Sequence, residues 1–187
     1  MQSSKKGLIV MDIDDTMMSD SPYSIRPYLR EFLQRVSNDY DLAIWTAASH
    51  SRVVTFLTIL NQFVDWKFIW DIEACPKDSD HYGIKDLRTV CRAFGIAPEK
   101  MILIDDEPDQ YDFNTPLGFR VIQAPIYTPI AEDHFFYDLL SRFSPSAASP
   151  FPISAAIPIP ISAPSSVPSS APAQSPRSKK KMNISLS

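Results

Sequence analysis

The sequence predicts an α/β fold in which a mainly parallel central sheet is covered on both faces by helices, as a three-layer sandwich. Three observations carry this reading. Leu8-Ile9-Val10-Met11, Leu42-Ala43-Ile44-Trp45 and Met101-Ile102-Leu103-Ile104 are short apolar runs without polar alternation, the pattern of strands buried on both sides. Segments with apolar residues at helical spacing separate them, and strands alternating with helices build parallel sheets. Each run also ends in polar residues: Asp12 and Asp14 after the first, Thr46 after the second, Asp105 and Asp106 after the third. Ligands of such sheets bind beyond the carboxyl ends of the strands, so these residues are expected on one rim.

The elements follow in order. The first strand leads into Asp12-Ile13-Asp14-Asp15-Thr16. Arg26-Pro27 opens the first helix, since proline suits the first helical position, and Tyr28, Leu29, Phe32, Leu33 and Val36 form its apolar stripe. The second strand ends at Thr46. A helix over about Ser49 to Asn61 places Val53, Val54, Leu57 and Leu60 on its buried side. Ile84, Leu87, Cys91 and Phe94 predict a further helix, opened at Lys85 and closed by Gly95. After the third strand, Phe119-Arg120-Val121-Ile122 reads as a fourth. The last helix runs from about Glu132 to Phe143, with Phe135, Phe136, Leu139, Leu140 and Phe143 apolar. Between the second helix and Lys85 lie roughly twenty residues around Trp66-Lys67-Phe68-Ile69-Trp70 and Cys75 to Tyr82. That is room for a small insert such as a hairpin, and too little for a large cap. Its aromatic residues are either ordinary core or a docking surface.

Composition divides the chain. Residues 145–187 hold 9 of the 17 prolines and 12 serines, with no Gly, no Asp or Glu, and Phe151 as the one aromatic. Such a segment cannot bury enough apolar surface to fold, so residues 1–144 are read as the domain and 145–187 as a disordered Pro/Ser-rich tail with a basic end. Ile153, Ile157, Ile159 and Ile161, set between prolines, can dock on a protein partner. The tail's four positive charges leave −8 on the rest of a chain whose net charge is −4. An acidic body argues against direct nucleic-acid binding, which needs basic patches. Cys75 and Cys91 are too few for a disulfide framework or a zinc site, and His50, His81 and His134 show no ligand spacing. Four straight apolar residues after Lys5-Lys6 are too short for a signal segment, and no apolar run is long enough to span a bilayer. The expectation is an intracellular monomer, in cytoplasm or nucleus, away from membranes.

The acidic motif carries chemistry. Close carboxylates repel, and burial disfavours their charged form, so Asp12, Asp14 and Asp15 at a strand exit call for a cation or a shared proton. Mg²⁺ takes oxygen ligands and leaves positions open for a substrate phosphate. With Thr46, Lys85 and Asp105-Asp106, four separate segments bring two acidic clusters, a hydroxyl and an ammonium to one rim.

The set Asp12-Ile13-Asp14-Asp15-Thr16, Trp45-Thr46-Ala47, Lys85 and Asp105-Asp106 resembles the four signature motifs of haloacid-dehalogenase-type phosphatases. Arg26-Pro27 with Glu31-Phe32-Leu33, Ile84-Lys85-Asp86-Leu87 and Pro108 are similar to the blocks of the RNA polymerase C-terminal-domain (CTD) phosphatases, also called NLI-interacting-factor-like. The resemblance covers about residues 7 to 143. It implies a phosphatase in which Asp12 is the nucleophile that forms an aspartyl-phosphate, and Asp14 protonates the leaving group and then activates water. It further implies that Asp12, the Asp14 carbonyl, Asp105 and Asp106 hold Mg²⁺. Thr46 with Ala47, Lys85, and the backbone N–H groups of Ile13 and Asp15 would bind the phosphoryl oxygens.

Two departures bear on the substrate. Only nine residues, Met17 to Ile25, separate the first motif from Arg26-Pro27; in small CTD phosphatases this segment is much longer and carries the pocket for the substrate's proline. The chain also has Asp105-Asp106 where many of those enzymes have Asp-Asn. The leading expectation is a protein serine/threonine phosphatase acting on a phosphoprotein or phosphopeptide. A small-molecule phosphatase of the magnesium-dependent phosphatase type is the alternative. A non-catalytic scaffold is a third reading, disfavoured by the retention of Asp12, Asp14, Thr46, Lys85 and Asp106.

Overall fold

Strand and helix alternate along the chain in a computed structural model that describes residues 5–19, 23–60, 64–76, 83–129 and 132–143. In order these are β1 (Gly7–Met11), β2 (Met18–Ser19), β3 (Ser24–Ile25), α1 (Leu29–Val36), β4 (Tyr40–Trp45) and α2 (His50–Leu60). Then follow β5 (Trp66–Trp70), α3 (Leu87–Phe94), β6 (Met101–Asp105), α4 (Pro108–Asn114), β7 (Arg120–Gln123) and α5 (Phe135–Phe143). The main sheet has the order β5-β4-β1-β6-β7, and each neighbouring pair is parallel. β2 and β3 form a separate antiparallel hairpin.

Side chains alternate across this sheet, which explains why its strands read as unbroken apolar runs. Ile9, Met11, Leu42, Ile44, Ile102 and Ile104 face a core shared with Phe32 and Leu33 of α1, Val53 and Phe56 of α2, and Phe136 and Leu139 of α5. Leu8, Val10, Ala43, Trp45 and Leu103 face a second core, closed by Leu87 and Val90 of α3 and by Phe68. Three layers result, as the sequence implies.

Several elements differ from the sequence reading. Trp66–Trp70 is not part of a hairpin insert; it is the edge strand β5, paired in parallel with β4. Its Phe68 is buried, and Trp66 and Trp70 pack half-buried against the two cores. The core reading of these aromatics therefore holds. α3 begins at Leu87, with the Asp86 carboxylate accepting the Arg88 N–H at 3.0 Å, so Ile84 and Lys85 lie before the helix. An Asp at this position stops the helix from extending backward, because its side chain caps the first turn. Gly95 does close α3, at φ 64°. Val54 is exposed, and Phe56 takes the core position expected of it. The side chain of Leu60, with Asn61, Tyr82 and the whole tail reading, lies outside the described residues. Among the described residues no helix is long and apolar enough to cross a membrane.

Candidate active site

The polar residues do meet at the carboxyl end of the sheet. The β1–β6 ladder runs one residue past the strand, where the Asp12 N–H donates to the Ile104 carbonyl at 3.0 Å. Asp12 is thereby fixed between β4 and β6. The chain then turns sharply. Asp15 adopts a left-handed conformation at φ 55°, and its N–H donates to the Met18 carbonyl at 2.7 Å. The N–H groups of Met17 and Met18 both donate to the Ile13 carbonyl, at 2.9 and 3.0 Å. This turn buries Ile13 and Met17 and leaves Asp14 partly exposed.

The other segments arrive on the same side. β4 delivers Thr46, whose N–H donates to the Trp70 carbonyl at 2.9 Å. The Thr46 hydroxyl oxygen accepts the Ala48 N–H at 3.1 Å, which leaves its own proton for a ligand. β6 ends in Asp105, and Asp106 follows with Oδ1 accepting the Thr16 hydroxyl at 2.9 Å. Lys85 projects its Nζ to 2.9 Å from Asp12 Oδ1 and 2.6 Å from Asp105 Oδ2. Asp12, Asp14, Asp15, Thr46, Ala47, Lys85 and Asp106 line one open pocket of about 350 Å³. Asp105, with no exposed surface, stands behind it.

This cluster is short of positive charge. Burial pushes the Asp105 carboxyl up to about 7, against the opposing pull of Lys85 and with a further push from Asp12. Burial likewise raises Asp106 to about 6, the Thr16 hydrogen bond opposing and Asp12 adding. Burial alone would lower the Lys85 pKa, yet Asp105 and Asp12 more than offset it and raise the ammonium above its ordinary value. Lys85 thus shifts toward its charged form while Asp105 shifts toward its neutral one. One ammonium facing two buried carboxyls cannot satisfy both.

Asp12, Asp105 and Asp106 each offer a carboxylate oxygen, all within 4.8 Å of one another. Three hard oxygen donors in a cluster with a single ammonium fit a divalent ion such as Mg²⁺. The Asp14 side chain is not in this triad. Arg52 Nε and Nη2 donate to Asp14 Oδ1 at 3.0 and 2.8 Å. The Asp14 carbonyl accepts the Thr16 N–H at 2.7 Å. The Asp15 N–H is engaged by the Met18 carbonyl inside the turn.

Sequence reasoning missed Arg52 and Gln110 at this site, and gave Arg26 no role beyond a helix opening and a family block. Arg52 lies in the first turn of α2, donates to the Tyr23 hydroxyl at 3.1 Å, and sits over the rings of Tyr23 and Phe56, 5.2 and 5.3 Å from their centroids. A cation in a helix's first turn opposes the helix dipole, a signal that it serves some other group. Gln110, on α4, also lines the pocket. Its helix is seven residues long and carries no apolar stripe, so periodicity could not reveal it. Arg26 is fully buried: it pairs with Asp133 at 2.7 Å, donates to the Thr16 carbonyl at 3.1 Å, and packs on Phe135. It ties the acidic turn to the entry of α5.

The chain has relatives among known proteins. A curated ubiquitin-like domain-containing CTD phosphatase of Arabidopsis thaliana is 29% identical over 132 residues, 62% of this chain and 39% of that protein. A structure of Fcp1, described as an essential RNA polymerase II CTD phosphatase, superposes with a TM-score of 0.50 at 19% identity, over 73% of this chain and 50% of the other. A fission yeast Fcp1 bound to beryllium fluoride gives 0.49 at 18% identity, covering 76% and 50%. The chain thus spans about two fifths of the curated relative and half of each Fcp1 chain. The model of the NLI interacting factor-like phosphatases matches residues 2–149, and the chain belongs to that family.

Proposed function

We propose that this chain is a Mg²⁺-dependent phosphomonoester hydrolase that works through an aspartyl-phosphate and acts on phosphoserine or phosphothreonine in proteins. The observation that carries the reading is the Asp12 carboxylate, fixed at the end of β1, 2.9 Å from the Lys85 ammonium and open to the pocket. A carboxylate held beside a cation and facing an open cleft is arranged for attack on phosphorus.

Asp12 attacks the phosphorus and the ester oxygen departs with a proton from Asp14. Asp14 then takes a proton from the water that attacks the same phosphorus, and Asp12 is released. Lys85, the Thr46 hydroxyl and the backbone around Ile13 and Ala47 would bind the phosphoryl oxygens, where fixed donors lower the barrier most. Bound at Asp12, Asp105 and Asp106, with the Asp14 carbonyl as a further ligand, Mg²⁺ would supply charge neutralisation for the phosphoryl oxygens.

The open pocket favours a macromolecular substrate. Between the acidic turn and α1, the described residues form only the β2–β3 hairpin, two residues to a strand. Small phosphate esters are usually enclosed by a lid that excludes water; a phosphate displayed on a flexible peptide needs none. The curated relative, named as a CTD phosphatase, points the same way. With only Met17 to Ile25 in this segment, the proline pocket of small CTD phosphatases is missing or rebuilt.

Asp14→Asn separates this mechanism from others. A general acid matters most when the leaving oxygen is a poor leaving group. The loss of kcat/KM is therefore expected to be far larger on a phosphoserine peptide than on an activated aryl phosphate. Equal losses would remove Asp14 from proton transfer, and faster turnover of small sugar phosphates than of any phosphopeptide would replace the protein-phosphatase reading with the small-molecule one.

A further inference from the structure

We propose that Gln110 and Asn114, one turn apart on α4, are positioning residues that set Lys85 in the site, an inference that rests on the phosphatase reading above. Lys85 is in neither strand nor helix, so its peptide groups have no ladder to join, although the residue is buried. Buried peptide groups require partners. Two side-chain amides of α4 supply them. Gln110 Oε1 accepts the Lys85 N–H at 2.9 Å, and Gln110 Nε2 donates to the Gly83 carbonyl at 3.0 Å. Asn114 Nδ2 donates to the Lys85 carbonyl at 3.0 Å and to the Gln110 carbonyl at 3.0 Å, while Asn114 Oδ1 accepts the Leu87 N–H at 3.2 Å.

Both amides are buried, Gln110 at 4% and Asn114 at 0% exposure. Residues four apart share one helix face, and here both bond the same residue, one on each of its flanking peptides. They therefore grip Lys85 at its N–H and its C=O at once. α4 starts two residues after Asp106, so one short helix fixes the lysine relative to the carboxylates it neutralises. A generic core amide would have no reason to bind both sides of a phosphate-binding residue. Misplacing a catalytic group by about 1 Å can cost on the order of a hundredfold in rate, which gives this clamp a functional consequence.

The test is a double-mutant cycle on the full chain. Gln110→Leu removes both of its bonds; Gln110→Glu keeps the acceptor for the Lys85 N–H and also serves should the leucine variant not fold. The readouts are kcat/KM on an activated aryl phosphate, inhibition by orthovanadate, and the melting temperature. Gln110→Leu is expected to lower kcat/KM and weaken orthovanadate inhibition by about tenfold or more, with partial recovery in Gln110→Glu. In a Lys85→Met background the same change should cost less than about twofold, because coupled residues are non-additive. An equal loss in both backgrounds, or a lower melting temperature with kcat/KM unchanged, would overturn the positioning role alone. Full activity in Lys85→Met would instead overturn the reading of the site on which it rests.

Discussion

Asp12 and Asp14 are two residues apart and live in opposite surroundings. Asp12 is 8% exposed at its side chain and faces Lys85, itself 2% exposed. Asp14 is 33% exposed and is held by Arg52, a partner from a different helix that is 21% exposed. The inner half of the site is buried and short of positive charge, built from strand ends and buried amides. The outer half is a solvent-screened ion pair on a turn. A nucleophile and metal site benefit from preorganisation in a dry setting, whereas a group that gives and takes a proton must stay reachable by water and leaving group. On the proposed mechanism, nucleophilic attack and binding fall to the inner half and proton transfer to the outer.

Breaking the inner half should have the largest effect. Lys85→Met leaves Asp12 and Asp105 without their ammonium, and losing one donor to a developing oxyanion typically costs about 10²–10³ in kcat. Removing one partner of a buried pair also costs about 3–5 kcal/mol of stability; urea denaturation and steady-state kinetics on one preparation measure both. The outer half should respond differently. Arg52→Met is expected to change stability by about 1 kcal/mol or less, since the pair is partly exposed. Its activity loss, about tenfold, should fall mainly on phosphoserine peptide and little on an aryl phosphate, because general acid–base catalysis is worth about 10²–10⁴ where the leaving group is poor. Similar losses on the two substrates would erase the division between the halves.

The inner half also makes a subtler prediction in pH. Asp105 and Asp106 have folded-state pKa values raised from 3.8 to about 7 and about 6. A raised pKa means that the folded state holds the proton more tightly than the unfolded one. The stability this contributes is complete below the unfolded value of 3.8 and is lost as pH rises through about 6 and 7. Without metal, the melting temperature should therefore fall between pH 5 and 8 from this source. Mg²⁺ held by the ionised carboxylates, as proposed, would raise the melting temperature more at pH 8 than at pH 5. A metal effect that shrinks with rising pH would place the ion elsewhere.

Much of this was legible in the sequence because burial and chemistry leave different marks. Strands buried on both faces must be apolar throughout, so β1, β4 and β6 announce themselves, and the polar residues at their ends mark the rim. Trp66–Trp70 misleads because an edge strand half-buried among aromatics has no clean period. Asp86 hides the start of α3, since an apolar stripe continues through Ile84 although the helix does not. Arg52, Gln110 and Asn114 were illegible for another reason. Their partners are peptide groups or carboxylates tens of residues away, and nothing local in the chain encodes such a pairing. The roles of Asp12 and Lys85 came from motif resemblance, whereas the supporting bonds came only from the fold.

On the proposed mechanism Asp12 becomes phosphorylated during each turnover. Borohydride reduces an acyl phosphate to an alcohol, so quenching the enzyme during turnover of a phosphopeptide with Mg²⁺ should convert Asp12, and no other aspartate, to homoserine, as read by peptide mass spectrometry. Homoserine at Asp12 that requires both substrate and Mg²⁺ is the predicted result. Ongoing turnover with Asp12 unmodified, or with the modification at Asp14, Asp105 or Asp106, would contradict it.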